Sequence, residues 1–254
     1  MAVIKDLSMK AYGEIAALRS SDLKTFAISP AHYKHSKSKP QEDNTNLAMG
    51  SAVHTLILEP DKFKEEFSIY KAHKTRCQAY HAVAASNPNK IFLLQSEYET
   101  VMRIAESVRN KKHVMDIINP CDKELSITGK IDGVFCKARF DGYDPSINRA
   151  IDLKTTGKSA TQFRRAVWDF GYHLSNAFYE MVAETNAIFV KDFVYVVIEK
   201  EPPYEVLLTT IDREWIDLAR KEVERCLTQF SECLKTNVWP GYSTEIQEIK
   251  LKKE

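Results

Sequence analysis

The sequence is poor in glycine, and its few cysteines are not spaced as metal or disulfide sites. Only 8 of its 254 residues are glycine, and it contains neither Gly-x-Gly-x-x-Gly nor Gly-x-x-x-x-Gly-Lys-Ser/Thr. The usual loops for dinucleotide and P-loop nucleotide binding are therefore missing. The 5 cysteines form no Cys-x-x-Cys pair, which argues against a disulfide framework and a zinc ribbon. A reducing cytoplasm is the expected compartment.

Long apolar runs and an excess of one charge are also absent. The sequence has no run of 18 apolar residues and no apolar signal-peptide core near its first residue, so we expect a soluble protein without a membrane partner. The 36 basic and 35 acidic residues leave a net charge of +1. Because there is no global basic field, any contact with DNA has to use local patches.

The order of apolar patterns predicts a mixed α/β fold. With 44% hydrophobic residues, the chain can bury a full core, and we expect one domain over residues 1–254. About 1–118 form a mainly helical N-terminal part in this prediction, and about 119–254 form the sheet-containing catalytic core. Helices, three or more strands, a helix, two strands and a final helix follow one another, which indicates a central mixed sheet flanked by helices.

Several element boundaries follow from local signals. Helical spacing predicts a helix over 46–59 that ends at Pro60, and Ser96 with Glu99 predicts a capping box at the start of another. The predictions nearer the C-terminus are a turn at 128–130, one long helix over about 160–184, strands over 193–198 and 206–211, a final helix over 212–235, and packing of Cys226 and Cys233 on one face of that helix.

The stretch Ala150-Ile-Asp-Leu-Lys-Thr155 places two opposite charges inside a short apolar run. In a β-strand, residues i and i+2 share a face, so Asp152 and Lys154 lie side by side, roughly 7 Å apart at their Cα atoms. A carboxylate that binds a hard cation, next to an ammonium that steadies an attacking water or developing charge, suits metal-dependent phosphodiester hydrolysis. The alternative is a simple surface ion pair, which is common on solvated sheets.

A second acidic residue favours the catalytic interpretation. Residues 134–141 alternate with a period of two, which predicts a strand with Asp141 at its end. Turn-forming residues then separate this strand from the one that carries Asp152. A hairpin would bring Asp141 close to Asp152 and Lys154. Asp132 competes with Asp141 for the role of first acid, and we prefer Asp141 because it lies next to the hairpin.

Four stretches in order resemble the RecE-type exonucleases (the C-terminal nuclease domain of exonuclease VIII), which belong to the PD-(D/E)XK nuclease superfamily. They are Ser29-Pro-Ala-His-Tyr33, Met49-Gly-Ser-Ala-Val-His-Thr-Leu-Ile-Leu-Glu-Pro60, Cys136-Lys-Ala-Arg-Phe-Asp141 and Ile151-Asp-Leu-Lys-Thr-Thr156. A fifth, Gly171-Tyr-His-Leu-Ser-Asn-Ala-Phe-Tyr179, falls on the predicted long helix. The resemblance implies a restriction-endonuclease-like core and covers most of the chain.

The resemblance also implies a metal site. It assigns His54, Asp141, Asp152 and the Leu153 carbonyl to Mg²⁺, with Mn²⁺ as a possible substitute, and it assigns Lys154 to the nucleophilic water. An oxygen-rich set of ligands is what Mg²⁺ prefers.

Three further positions correspond to positions that the family uses. Glu124 occupies a family acidic position, and Tyr179 matches the family's helix tyrosine. Ser175 stands where such enzymes usually have glutamine, so the rate or the preference for DNA ends could differ. Outside the family motifs, Lys74 and Arg76 could line a path for DNA or belong to an exposed loop.

The function expected from the resemblance is a Mg²⁺-dependent exodeoxyribonuclease. It would digest one strand of linear double-stranded DNA in the 5′ to 3′ sense, and the exposed strand would serve a RecT-like annealing recombinase. The family also implies a ring-shaped homo-oligomer around DNA and frequent phage or prophage origin. The alternatives are a structure-specific endonuclease with the same chemistry and a non-catalytic DNA-binding module.

Overall fold

The core of the protein is a six-stranded mixed sheet. A computed structural model describes residues 1–38, 45–246 and 248. In these residues the strands are β1 (Ala2–Ile4), β2 (Phe67–Tyr70), β3 (Ile91–Leu94), β4 (Asp122–Ile131), β5 (Val134–Asp144), β6 (Arg149–Thr156), β7 (Asp192–Glu199) and β8 (Val206–Thr209). The large sheet has the order β1-β4-β5-β6-β7-β8, and β6 and β7 are its parallel pair. Strands β2 and β3 form a separate parallel pair.

Helices cover both faces of the large sheet. They are α1 (Met9–Glu14), α2 (Ser20–Ile28), α3 (Pro30–Ser36), α4 (Thr45–Leu58), α5 (Phe63–Glu66), α6 (Gln78–Ala85), α7 (Gln95–Arg109), α8 (Lys112–Ile118), α9 (Phe163–Asp169), α10 (Tyr172–Glu184) and α11 (Arg213–Thr236). None of the helices in the described part of the chain is long and apolar enough to cross a membrane. The predicted mixed α/β class with a helix-flanked sheet is confirmed.

The alternation of side chains along the strands builds two apolar layers. Phe193, Tyr195 and Val197 of β7 pack in one layer with α2, α10 and α11, whereas the intervening residues of β7 pack in the other with α4, α7 and α8. In β6, Ile151 and Leu153 belong to the second layer and are fully buried. Asp152 and Lys154 consequently point to the opposite face, as the period of two predicts.

The C-terminal elements agree closely with the sequence prediction. Strands β7 and β8 pair in antiparallel fashion, and α11 begins after Asp212, whose Oδ1 accepts the Glu214 N–H at 2.8 Å. This N-cap satisfies one of the free amides at the helix start. Cys226 and Cys233 are buried on the inner face of α11, so their predicted packing role is confirmed.

The prediction of one long helix over about 160–184 is wrong. A short 3₁₀ turn at Ala160–Gln162 and the helix α9 come first, and α10 starts only after Gly171. Gly171 has φ = 61°, a left-handed conformation that interrupts the helix, and a Cβ here would lie 3.0 Å from Lys24 Cδ. Glycine fits this position because it has no side chain to strain or clash. The apolar periodicity continues across the break and conceals it.

Two predicted boundaries are displaced. The Ser96 capping box is wrong, because α7 begins at Gln95 and Glu97 Oε2 instead accepts the Leu94 N–H at 2.9 Å. The predicted turn at 128–130 lies further along, at Asp132 and Gly133, which both have positive φ. An Asp-Gly pair is the sequence that a two-residue hairpin turn favours. Periodicity did not reveal β1, β2 or β3.

Candidate active site

The hairpin of β5 and β6 opens at the point where the acidic residues lie. Its pairing extends from Asp144–Arg149 to Gly142–Ile151, and from Asp152 onward β6 pairs with β7 alone. Asp141 stands inside β5, not at its end as predicted, because β5 continues to Asp144. Its Oδ2 accepts the Leu153 N–H at 2.6 Å. A side chain thus replaces the missing strand-to-strand hydrogen bond across the opening.

The Leu153 carbonyl faces the same opening. In a strand, the N–H and C=O of one residue point to the same edge, and the Leu153 N–H points to Asp141. The main-chain oxygen that the family resemblance implies as a ligand therefore lies on the Asp141 side of β6.

Gly142 allows the close approach that supports this geometry. A Cβ at residue 142 would come within 2.8 Å of Cys121 Cβ and Ile151 Cγ1. Contacts this short cannot be made without moving β6 or the segment that carries Cys121. The glycine next to Asp141 therefore sets how closely β5 lies against β6, and with it the position of Asp141.

Asp152 and Lys154 form the second half of the site. Lys154 Nζ makes an ion pair with Asp152 Oδ2 and lies 5.1 Å from the centre of the Tyr172 ring. Asp152 Oδ2 is buried and accepts no hydrogen bond of regular geometry from the described residues. The Lys154 ammonium in contact with this oxygen offsets part of the cost of burying the carboxylate, and a carboxylate oxygen keeps further lone pairs. This oxygen is therefore also available to a cation.

The electrostatics of this pair reflect close packing of like and unlike charges. Burial raises the pKa of Asp152, the neighbouring Lys154 ammonium opposes the shift, and the Asp141 carboxylate adds to it. Burial on its own lowers the pKa of Lys154, but Asp152 and Asp141 outweigh it and raise that pKa above its ordinary value. The ammonium therefore stays charged at neutral pH.

His54 and Glu124 reach the site from two other elements. His54, on α4, places Nδ1 3.5 Å from Asp141 Oδ2. Glu124 lies on β4 with φ = 50°, and its Oε2 is 3.5 Å from Arg139 Nη1. Burial and then the charge of Asp141 raise the pKa of Glu124 to about 8. The structure therefore brings both residues to Asp141.

Of the two family positions on α10, one faces the site. Tyr179 packs edge-on against Phe140 at 5.8 Å between ring centres, and its pKa is raised by burial and by the charge of Asp152. Ser175 Oγ donates to the Gly171 carbonyl at 3.4 Å, within its own helix. Ser175 makes no hydrogen bond to Asp152 or Lys154 in the described structure, so it does not reproduce the reach of glutamine.

Arg76, Lys74 and Asp132 lie apart from this cluster. Arg76 makes a two-point ion pair with Glu97, at 2.6 and 2.9 Å, and lies over the Tyr80 ring. Lys74 is exposed in the same segment. Asp132 is exposed in the β4–β5 turn, at the opposite end of β5 from Asp141.

Two residues beside Lys154 received no site role from the sequence: Tyr172, which lies in the fifth stretch of the resemblance, and Lys24. Tyr172 covers the Lys154 ammonium, and Lys24 Nζ lies 5.8 Å from the centre of the same ring. Burial and then the charge of Lys154 lower the pKa of Lys24 to about 8. The signal for Tyr172 was its place in that stretch, directly after Gly171. Nothing in the sequence around Lys24 marks it, because α2 is far from β6 along the chain.

The site residues suit a divalent cation in chemistry, although no ready-made centre is formed. Within the residues that the structure describes, no three His, Cys, Asp or Glu side chains are grouped closely enough to hold a metal. Asp141, Asp152 and the Leu153 carbonyl nevertheless offer oxygen donors at one opening, where the Lys154 ammonium is the described charged neighbour of Asp152 Oδ2. Mg²⁺ and Mn²⁺ prefer such oxygen ligands, and His54 adds a nitrogen.

The sheet is mixed and flanked by helices, and its open hairpin presents Asp141 and an Asp-x-Lys pair. These features define the class of the protein as a PD-(D/E)XK-type nuclease domain. The chain belongs to the family described as "PDDEXK-like domain of unknown function (DUF3799)", whose model matches residues 19–252. No match is found among curated proteins.

Two crystal structures are similar to this chain to very different degrees. A protein from Eubacterium rectale, provisionally named as an exonuclease, is 14% identical and has a TM-score of 0.68 over 98% of this chain and 97% of its own. A phage-related exonuclease from Haemophilus somnus 129PT is 13% identical, covers 87% of this chain and 96% of its own, and has a TM-score of 0.36, too low to support an argument. The first likeness describes the fold alone.

Proposed function

We propose that this protein is a divalent-metal-dependent exodeoxyribonuclease of the RecE type that digests one strand of linear double-stranded DNA. The observation that carries the proposal is the opening between β5 and β6. There Asp141 bonds the Leu153 amide, and the buried Asp152 Oδ2 has the Lys154 ammonium as its described charged neighbour. Carboxylates that can hold a divalent cation, with a fixed ammonium beside them, suit metal-assisted phosphodiester hydrolysis.

The site residues divide into a metal-holding group and a fixed positive charge in this proposal. Asp141, Asp152 and the Leu153 carbonyl, with His54 beside Asp141, hold Mg²⁺ or Mn²⁺. The cation, when bound, supplies Lewis-acid stabilisation of the phosphate and a more acidic water. Lys154 remains an ammonium and stabilises negative charge on the phosphate as it develops. The Tyr172 ring fixes the position of that ammonium.

The finer features rest on the resemblance to RecE-type enzymes. They are 5′ to 3′ polarity, a ring-shaped homo-oligomer around DNA, delivery of the single strand to a RecT-like annealing recombinase, and a role in phage or prophage recombination. A ring would supply the processivity that a net charge of +1 does not provide by long-range attraction.

A structure-specific endonuclease with the same chemistry is the second candidate, and a non-catalytic DNA-binding module is the third. Ser175 favours the third, because its hydroxyl bonds its own helix and does not replace the family glutamine. The intact Asp141, Asp152 and Lys154 favour catalysis.

The proposal is tested by incubating the purified protein and Mg²⁺ with equal amounts of linear and covalently closed circular duplex. An exonuclease digests only the linear form, an endonuclease attacks both, and a binding module leaves both intact. End-labelling one strand at a time then reports polarity. Mn²⁺ should support digestion, whereas Ca²⁺ should support binding without turnover because its looser shell does not position the water in the same way. Rapid digestion in Ca²⁺ alone contradicts the assigned metal chemistry.

A further inference from the structure

A cavity of about 800 Å³ lies directly beside Lys154. Its walls come from the end of β6 and the following loop, from α4 near His54, and from α9 and the start of α10. This volume is within the range of sites that hold small organic ligands. Because Lys154 and Leu153 belong to its wall, anything bound there adjoins the site of hydrolysis.

The charges that line this cavity favour an anionic ligand. Four basic side chains reach it against one acidic side chain: Lys154, Lys158, Arg165 and Lys200 against Asp169. Arg165 Nε is 3.4 Å from Asp169 Oδ2, and both side chains are largely exposed, so this pair can separate at little cost. Lys154 is already paired with Asp152, so Lys158 and Arg165 are the basic side chains that we assign to a phosphate group.

An exposed aromatic ring stands at the rim of the same cavity. Phe170 is 60% exposed although it is large and apolar. Its carbonyl accepts a hydrogen bond from Lys24 Nζ at 3.0 Å, and the left-handed Gly171 follows it. The Lys24 hydrogen bond and the Gly171 conformation fix the backbone that presents the ring. The rings of Phe170 and Tyr172 are 5.7 Å apart, and Tyr172 in turn covers Lys154.

The aromatic residue two positions earlier is arranged differently. Trp168 is 56% exposed, but its ring packs 5.1 Å from that of Trp215 and does not line the cavity. Phe170 is thus distinguished from a general apolar patch, because it combines exposure with a basic cavity and with a chain of rings that leads to Lys154. Nucleobases stack on such rings regardless of sequence.

We propose that this cavity receives the unpaired terminal nucleotide of the strand being cleaved, with Phe170 stacking on its base and Arg165 and Lys158 beside its phosphate. The proposal rests on the proposed nuclease function. It assigns Phe170 a positioning role, since the ring holds the nucleotide while the reacting phosphate lies at Lys154.

The test measures the affinity of the full chain for a 5′-phosphorylated, fluorescently labelled tetrathymidylate in Ca²⁺, by anisotropy. Phe170→Ala should raise the Kd about 10-fold, and Phe170→Trp should keep it within about 2-fold of wild type, because stacking needs an aromatic face. Phe189→Ala is the matched control, since Phe189 is 66% exposed and lies outside the cavity. It should leave the Kd unchanged. Equal Kd values for Phe170→Ala and Phe189→Ala overturn the proposal.

A second pair of variants tests the phosphate contacts. Arg165→Ala should raise the Kd several-fold. Arg164→Ala should not, because Arg164 lies over the Trp215 ring, 5.6 Å from its centre, and does not line the cavity. Equal effects of the two arginine variants, or a change in oligomeric state on gel filtration of Phe170→Ala with unchanged tetranucleotide affinity, count against a nucleotide subsite. The latter result identifies the rim as a protein interface.

Digestion of linear duplex, measured in parallel, separates this proposal from the nuclease function. If wild type digests DNA and Phe170→Ala binds the tetranucleotide normally, the nucleotide subsite is refuted and the nuclease function is supported. If wild type does not digest DNA, and Phe170→Ala is the variant that loses affinity while Phe189→Ala does not, the nucleotide subsite is supported and the nuclease function is refuted.

Discussion

Two lysines, Lys137 and Lys154, lie partly or fully inside this protein, and they differ in how many hydrogen-bond partners surround the ammonium. Lys137, on β5, is only 3% exposed, and its ammonium donates to the carbonyls of Tyr12, Gly13 and Ile15 at 2.7, 3.3 and 2.8 Å. These carbonyls lie at the end of α1, where a cation is favoured. An ammonium has three donors, so Lys137 is fully satisfied.

Lys154 is less buried than Lys137, and its ammonium has fewer hydrogen-bond partners. Its side chain is 25% exposed, and its contacts in the described structure are the ion pair with Asp152 and the face of the Tyr172 ring. Burial of a charged side chain therefore does not identify a functional site by itself. Lys137 completes a helix end with three carbonyl partners, whereas Lys154 has one carboxylate and one aromatic ring as partners in the described structure.

The largest effect should come from Asp152→Asn, which removes the charge of the carboxylate paired with Lys154. This carboxylate is a metal ligand in the proposed function. We expect DNA cleavage to fall on the order of 1000-fold while the fold is kept, because shape is preserved and the cation loses a charged ligand. Asp144→Asn is the matched control: Asp144 is equally enclosed, but its Oδ1 accepts the Ser146 N–H at 2.9 Å. Cleavage rates and circular dichroism check both, and Asp152→Asn with more than a tenth of wild-type rate contradicts the assignment.

The different roles of Lys154 and Lys137 are tested by Lys154→Met and Lys137→Met. Lys154→Met should slow single-turnover cleavage about 100-fold, because a stabilising charge present in the transition state is lost, with little change in DNA affinity in Ca²⁺. Lys137→Met should instead lower the free energy of unfolding by about 3 kcal/mol, since buried carbonyls lose their donor.

Denaturant titration and single-turnover kinetics measure the two quantities on each variant. The interpretation of the two lysines fails if Lys154→Met cleaves at the wild-type rate, or if Lys137→Met is slow but as stable as wild type.

A smaller effect is expected at Gly142. Gly142→Ala forces contacts of 2.8 Å with Cys121 and Ile151, which should cost about 1–3 kcal/mol of stability and move Asp141 enough to slow cleavage on the order of 10-fold. Gly13→Ala is the control, because nothing lies within 4 Å of its added Cβ. Thermal melting and cleavage assays report both, and identical behaviour of the two variants refutes the role given to Gly142.

The smallest predicted effect concerns Tyr172. Tyr172→Leu removes the ring over the Lys154 ammonium and should slow cleavage about 2- to 5-fold, the equivalent of about 0.5–1 kcal/mol for one such contact. Tyr172→Phe keeps the ring and should remain near the wild-type rate. If the phenylalanine variant is the slower of the two, the hydroxyl matters and the ring contact does not.

Sequence patterns predicted those features that depend on neighbours along the chain. The alternation around Asp152 and Lys154 places them on one face, and Asp212 marks the start of α11. The features that were missed depend on contacts between distant segments. Lys24 approaches Lys154 only because α2 packs against α10, and the opening beside Asp141 exists only because β5 and β6 stop pairing there. No local periodicity encodes either contact.

The hydrogen bond from the Leu153 amide to the Asp141 carboxylate makes one main-chain group a spectroscopic reporter. An amide in a regular ladder senses its partner strand, whereas this one senses the charge on a single carboxylate. The ¹⁵N and ¹H resonances of the Leu153 amide should therefore shift when a cation binds Asp141. The amide of Val196, which is the register partner of Leu153 on β7, should shift less. Occupancy of the site can in this way be followed by nuclear magnetic resonance without any DNA present.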